Sequence, residues 1–93
     1  MSQETEPKEL PIDGTLDLHT FKPEDLGSLI PGYIEACLSK GIFEIRIIHG
    51  KGTGNLRRSV HALLDRNPHV KSYSLAGDHS GWGATIATLE KNK

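Results

Sequence analysis

The sequence predicts an α/β fold, a single two-layer βαβαββ sandwich in which a four-stranded mixed sheet carries two helices on one face. Three observations support this prediction. The chain has 93 residues, which suffices for one small domain with one core. The spacing of its apolar residues is typical first of a strand and then of a helix, and this order occurs twice. Two further runs with strand spacing follow. About half of the positions in each predicted strand are apolar, so one sheet face is expected to stay in water.

The amino-terminal part of the chain contains a predicted tail and the first strand. Residues 1–12 are polar without periodicity and are predicted to be disordered, so the folded domain is assigned to residues 13–93. The first strand is predicted over residues 15–19, where two leucines alternate with Asp17 and His19. This alternation places both polar side chains on the face away from the core.

A first helix is predicted over residues 23–40, because apolar residues recur there with a period of about 3.6. Gly41 suits the position that follows the last helical turn. Pro31 leaves two interpretations open. Either Ser28 caps a helix whose first turn accommodates Pro31, or a longer helix beginning at Pro23 is kinked there.

The rest of the chain predicts a second strand, a second helix and two further strands. These elements are assigned to residues 44–48, from 54 or 55 to 66, 70–75 and 85–89, with a turn-rich loop over residues 77–83. The second helix buries a leucine and valine stripe. Arg57, Arg58 and His61 are predicted to lie on its solvent side.

Composition excludes several classes of protein. No apolar stretch approaches the roughly 18 residues of a membrane span, and the polar amino terminus differs from a secretory signal, so we expect a cytoplasmic protein without membrane contact. A single cysteine, Cys37, excludes an internal disulfide and a cysteine-based zinc site. A monomer is favoured over an oligomer.

Charge is unevenly distributed along the chain, although the formal net charge is only −1. The first thirteen residues hold four acidic side chains and one lysine, a net charge of −3, so the remaining eighty carry +2. Between Arg46 and Lys71 there are six basic residues and one acid, Asp65. This basic run overlaps a glycine-rich turn, and we expect it either to bind phosphates or to form a solvated face.

Two histidines each close an apolar run. His19 ends the first predicted strand, and His49 follows the second and leads into the turn Gly50-Lys51-Gly52-Thr53-Gly54. If a crossover helix joins the two strands, they are parallel and their carboxyl ends meet at one sheet edge. The next helix begins there and presents free N–H groups to an anion. We therefore expect a phosphate site at this edge, with Lys51 and Arg57 within reach.

The polar side chains at this edge suggest two kinds of chemistry. Asp17 can orient the imidazole of His19 or share a divalent cation with it. This donor set is too poor for structural zinc and too poor in oxygen for Mg²⁺ held by protein alone. Histidine acid–base chemistry, or a Mg²⁺-like cation completed by substrate oxygens, fits better. The cofactor therefore stays open, with Asp17 and His19 as the candidate metal ligands.

Three motifs taken together resemble the small MutS-related domain family, known as Smr. They are Leu16-Asp17-Leu18-His19, then Ile48-His49-Gly50-Lys51-Gly52-Thr53-Gly54 followed by Leu56-Arg57, and finally Gly81-Trp82-Gly83-Ala84-Thr85-Ile86. The resemblance covers residues 14–90. One departure is Thr20, at a position where many members of the family have glycine.

The resemblance implies a βαβαββ sandwich like the carboxyl domain of a bacterial translation initiation factor. It also implies nicking endonuclease activity on DNA, with RNA cleavage or binding in some members. By motif, the catalytic residues would be Asp17, His19 and His49. The residues assigned to nucleic-acid contact are Gly50, Lys51, Gly52, Thr53, Gly54, Arg57, Arg58, Trp82 and Gly83.

Two functions of different classes stay open at this point. The first is phosphodiester hydrolysis, in which Lys51 and the turn amides hold the scissile phosphate and His49 activates water or protonates the leaving oxygen. The second is a non-catalytic binding module for branched DNA or structured RNA, and an RNA endonuclease is a further alternative. The imidazoles favour catalysis, because binding needs charge rather than titratable groups. The missing second carboxylate favours binding. Trp82 either packs on its own domain or stacks on a base.

Overall fold

The computed structural model describes residues 12–50, 54–76 and 83–91. The elements run in the order β1 (Thr15–Asp17), α1 (Leu26–Ser39), β2 (Glu44–Ile48), α2 (Asn55–Arg66), β3 (Val70–Leu75) and β4 (Ala84–Leu89). The strands form one sheet in the order β1-β2-β4-β3. The predicted four-stranded mixed sheet with two helices is confirmed. Within the described ranges, no helix is long and apolar enough to cross a membrane.

The sheet brings three carboxyl ends to one edge. β1 and β2 are parallel, and β4 pairs antiparallel with both β2 and β3, so β1, β2 and β3 all run in the same direction. The backbone N–H of Leu18 donates to the carbonyl of Ile48 at 3.0 Å, which extends the β1–β2 ladder one residue beyond β1. β4 begins at this edge. The segments that follow β1, β2 and β3 therefore all start on the same side of the molecule.

One face of the sheet supports both helices. Leu16, Ile47 and Thr85 are direct partners across β1, β2 and β4, and all three side chains are buried on this face. The helices contribute to a single apolar core together with the strands. The core includes Leu16, Leu18, Ile45, Ile47, Ala87 and Leu89 from the sheet side, with Leu26, Ile30, Ile34, Val60 and Leu64 from the helices. Alternation along the strands leaves Thr15, Asp17 and Arg46 on the other face.

Of the two interpretations of the first helix, the structure contradicts the one in which Ser28 is the cap. A 3₁₀ turn over Pro23–Asp25 leads directly into α1, so helical structure starts at Pro23 and Ser28 is not its cap. Pro31 lies inside α1. Its missing N–H leaves the carbonyl of Gly27 without an intrahelical donor, and Gly27 is exposed to water. This position explains how the helix accommodates a proline.

The carboxyl end of α1 is fixed by a Schellman motif. The N–H of Gly41 donates to the carbonyl of Leu38, and the N–H of Ile42 donates to the carbonyl of Cys37. Gly41 has a φ of +77°, which confirms the predicted role of this glycine. Ile42 packs against the core, as the residue at this place in the motif commonly does.

Four further residues differ from their predicted environment. Arg57, expected on the solvent side of α2, is half-buried. His61, expected on the solvent side of α2, is half-buried, because Tyr73 of β3 packs against its ring at a centroid distance of 4.7 Å. His19 lies beyond β1, which is shorter than the predicted strand. Ile12, assigned to the predicted tail, packs against the core.

Two glycines of the predicted phosphate turn have backbone conformations that disfavour other residues. Gly50 and Gly54 have φ values of +83° and +89°. Gly50→Ala and Gly54→Ala should therefore each lower the free energy of unfolding by roughly 1–2 kcal/mol. Gly32→Ala is the control, because Gly32 lies within α1 and an added Cβ meets nothing within 4 Å. It should raise that free energy by roughly 0.5–1 kcal/mol. Denaturant unfolding checks all three, and a Gly50→Ala protein as stable as Gly32→Ala would contradict the assignment.

Candidate functional site

The described residues of the predicted site lie at the edge where β1 and β2 end. Asp17 is the last residue of β1, and His49 and Gly50 directly follow β2. Gly54 precedes α2, and Gly83 precedes β4 at the same edge. Four further predicted residues lie outside the described part of the chain, so their roles stay predictions. They are Lys51, Gly52, Thr53 and Trp82.

Asp17 and His19 form an exposed pair. The Oδ1 atom of Asp17 accepts the backbone N–H of His19 at 3.0 Å and lies 2.9 Å from the ring Nδ1 of the same residue. These hydrogen bonds, the backbone one first, lower the pKa of Asp17. Because a carboxylate only accepts hydrogen bonds, Nδ1 of His19 carries the proton. Nε2 of the neutral ring is then left as a base, on a side chain that is 76 % exposed.

His49 points to the opposite face of the sheet. It follows Ile45 and Ile47 at two-residue spacing, so its ring lies on the helix-covered side and the residue is only 7 % exposed. Its Nδ1 lies 3.0 Å from the carbonyl oxygen of Gly50, and its Nε2 lies 2.8 Å from Oγ1 of Thr85. The structure therefore brings Asp17 and His19 together but does not bring His49 to them.

Two residues that the sequence did not single out for the site contact His49 or its partner. Thr85 is fully buried, and its Oγ1 lies 2.8 Å from Nε2 of His61 as well as 2.8 Å from Nε2 of His49. Burial lowers the pKa of His61, and the nearby His49 and Arg57 lower it further. One signal was available in the sequence, because Thr85 is a polar residue at a core position of the last strand.

The beginning of α2 is positively charged. Gly54 is its N-cap and provides no side-chain cap, and the first turn contains no acidic residue. A Cβ placed on Gly54 would lie 3.0 Å from Nη2 of Arg57, so the guanidinium group lies against this glycine. Arg58 is exposed one residue further on. Cations at a helix amino terminus are unfavourable without an anion, because the helix dipole already makes this end positive.

The backbone of His49 and Gly50 is held by the residue before β4. The backbone N–H groups of His49 and Gly50 both donate to the carbonyl oxygen of Gly83, at 2.9 and 2.8 Å. The Gly50 amide is therefore used within the fold. Gly50 has a positive φ, and its carbonyl oxygen faces His49 Nδ1.

The donors do not fit a metal site built by the protein alone. Among residues 12–50, 54–76 and 83–91, no group of three or more histidine, cysteine, aspartate or glutamate side chains could hold a metal ion. Asp17 and His19 supply two donors that are hydrogen-bonded to each other. Mg²⁺ prefers about six ligands, mostly oxygen.

Comparison with known proteins identifies the family. The sequence model of the Smr domain matches residues 16–90. The endonuclease MutS2 of Halothermothrix orenii is 40 % identical over 80 residues, and that of Lactobacillus johnsonii is 43 % identical over 76 residues. These matches cover 85 % and 81 % of this chain. The chain spans about a tenth of the length of these relatives, since each match covers 10 % of the relative.

Two solved structures have the same architecture. The Smr domain of Thermus thermophilus MutS2 superposes with a TM-score of 0.78 and 28 % identity, covering 84 % of this chain and 99 % of that one. YdaL, a stand-alone small MutS-related protein from Escherichia coli, superposes with a TM-score of 0.74 and 30 % identity, covering 84 % of this chain and 65 % of that one. With a family match over most of its length and two structural relatives, the chain belongs to the Smr domain family.

Proposed function

We propose that this Smr domain hydrolyses phosphodiester bonds of nucleic acid and nicks DNA. The observation that carries the proposal is the beginning of α2, where the Arg57 guanidinium group lies against a glycine N-cap and no first-turn acid balances it. Two relatives that are 40 % and 43 % identical to the chain over the matched residues are named endonucleases. The exposed Asp17–His19 pair at the same sheet edge supplies a base.

Arg57, Arg58 and the first-turn amides of α2 would bind phosphate groups. A phosphate at this position receives hydrogen bonds from the helix terminus and from a planar guanidinium group. Within the described ranges no salt bridge joins either arginine to a carboxylate, so their charge is available to an external anion. The predicted contact with Lys51 would add to the same site.

His19 is the residue that we assign to proton transfer. Its Nε2 can take the proton of a water whose oxygen forms the new bond to phosphorus, while Asp17 stabilises the imidazolium ion that forms. The P–O ester bond breaks, and the leaving sugar oxygen takes a proton from solvent. The sequence suggested His49 for this work. Because both ring nitrogens of His49 are hydrogen-bonded within the fold, we propose instead that His49 positions Gly50. Negative charge that develops on the phosphate would be stabilised at the beginning of α2.

A second candidate function is a binding module without turnover, for branched DNA or structured RNA. The observation that favours it is the single carboxylate beside His19 among the described residues at this edge, together with the enclosure of His49. Both functions use the same phosphate contacts. Activity measurements on site variants separate them.

Site variants should separate catalysis from binding. His19→Ala and Asp17→Asn should each reduce the rate of plasmid nicking by about 10²- to 10⁴-fold, the usual contribution of general acid–base catalysis, and leave the dissociation constant nearly unchanged. Because the pKa of Asp17 is lowered, it stays ionised above about pH 5 and should add no step to the rate profile there. His69→Ala is the control, because His69 lies between α2 and β3, at the sheet edge opposite the site. Supercoiled plasmid and structured RNA are tested in parallel. If both variants nick at the wild-type rate, the nicking comes from a contaminant or another site, and the binding module is favoured.

The salt dependence of binding should identify the phosphate contacts. Replacing Arg57 or Arg58 by alanine should flatten the slope of log affinity against log salt by about 0.9 for each phosphate of duplex DNA that the variant no longer neutralises. Arg66→Ala is a matched control, because Arg66 is an exposed arginine at the other end of the same helix. Equal slopes for all three variants, measured by fluorescence anisotropy, would show that the nucleic acid binds elsewhere.

A further inference from the structure

A buried hydroxyl joins two histidines next to the candidate site. Oγ1 of Thr85 lies 2.8 Å from Nε2 of His49 and 2.8 Å from Nε2 of His61. Thr85 is fully buried, and His61 of α2 is half-buried against the ring of Tyr73 in β3. The Thr85 hydroxyl has one proton to donate and two positions at which it can accept a hydrogen bond. Because both imidazoles bond to this one hydroxyl, the position of the proton on one ring affects its position on the other.

The carbonyl of Gly50 determines where each proton lies. A carbonyl oxygen only accepts, so Nδ1 of His49 must carry its proton to make the 3.0 Å bond to Gly50. Nε2 of neutral His49 is then an acceptor, and Thr85 donates to it. The remaining acceptor position of Thr85 takes the N–H of His61 Nε2. This arrangement satisfies all three bonds.

The other tautomer of His49 would leave a buried polar group unpaired. If Nε2 of neutral His49 carried the proton while Nε2 of His61 kept its own, Thr85 would face two donors and its own proton would lose its acceptor. To avoid this, His61 would have to move its proton to Nδ1 as well. An unpaired buried hydroxyl is costly, and the Gly50 carbonyl would lose its donor at the same time. The N–H of His61 is the group that imposes this cost, because it fills the other side of the Thr85 oxygen.

We propose that His61 is a positioning residue that, through Thr85, holds His49 in the tautomer that donates to the Gly50 carbonyl. In this way it fixes the carbonyl of Gly50, directly after β2. The proposal rests on the proposed function only for its consequence, the binding of phosphate at the sheet edge where β2 ends. The hydrogen-bond arrangement itself is a property of the protein without any ligand.

The experiment measures the imidazole nitrogens of the ¹⁵N-labelled 93-residue chain by long-range ¹H–¹⁵N correlation at neutral pH. The wild-type spectrum should show a proton on Nδ1 of His49 and on Nε2 of His61. His61→Leu and Thr85→Val should each move the Nε2 resonance of His49, because its hydrogen bond is weakened or lost. His61→Gln and Thr85→Ser should leave it near the wild-type position, since each keeps the required donor or hydroxyl.

His69→Leu is the matched control, since His69 is another half-buried histidine whose ring contacts the carbonyl of Glu90. A wild-type His49 protonated on Nε2 would overturn the proposal. The proposal would also be overturned if His61→Leu left the Nε2 resonance of His49 as unchanged as His69→Leu does. The wild-type measurement needs no variant, and Thr85→Val provides a second test if His61→Leu does not fold.

A binding measurement gives the functional consequence. His61→Leu should raise the dissociation constant for a short duplex oligonucleotide by about 2- to 10-fold, as expected for one lost hydrogen bond, and His61→Gln should restore it. If the spectrum shows the proposed tautomers but the protein neither binds nor nicks DNA, the proposed function is refuted and the role of His61 is not. Nicking without this tautomer pattern would refute the role of His61 alone.

Discussion

The antiparallel pairing of β2 with β4 determines where the residues of the candidate site lie. The register places Thr85 opposite Ile47, the residue of β2 that shares a sheet face with His49. Beyond the strands, the carbonyl of Gly83 accepts both the His49 and the Gly50 amide, so these two residues are fixed relative to the beginning of β4. A shift of one residue in this register would turn Thr85 to the open face and separate it from both histidines.

The two faces of the sheet carry different polar residues at this edge, exposed on one face and mostly buried on the other. On the open face, Asp17 and His19 are exposed and hydrogen-bonded to each other, which suits proton exchange with water or substrate. On the covered face, Thr85 is hydrogen-bonded to His49 and to His61, in a cluster in which His49 and Thr85 are buried and His61 is half-buried. A polar cluster of this kind fixes a local arrangement, but its buried members are poorly placed for contact with a large substrate. The cationic beginning of α2 lies in the chain between His49 and His61, two members of the cluster on the covered face.

Much of the fold could be predicted from the sequence, because apolar spacing determines which residues are buried. The bounds of β2, α2 and β3 follow the pattern closely, and Gly41 ends α1 as its conformational freedom predicts. The site was harder to predict. The position of His49 follows from the alternation of Ile45 and Ile47, but the motif suggested a cluster with Asp17 and His19. The contact of His61 with Tyr73 depends on the sheet order, which local spacing does not contain.

In the proposed function, the carboxyl edge of β1 and β2 and the beginning of α2 form one nucleic-acid site. Amide chemical-shift mapping with a short DNA duplex tests this most directly, because it locates the contact without requiring turnover. We expect the largest shifts at His19, Gly50, Gly54 and Arg57. Shifts concentrated at the opposite edge of the sheet, around Phe43 and Glu90, would contradict the proposed site.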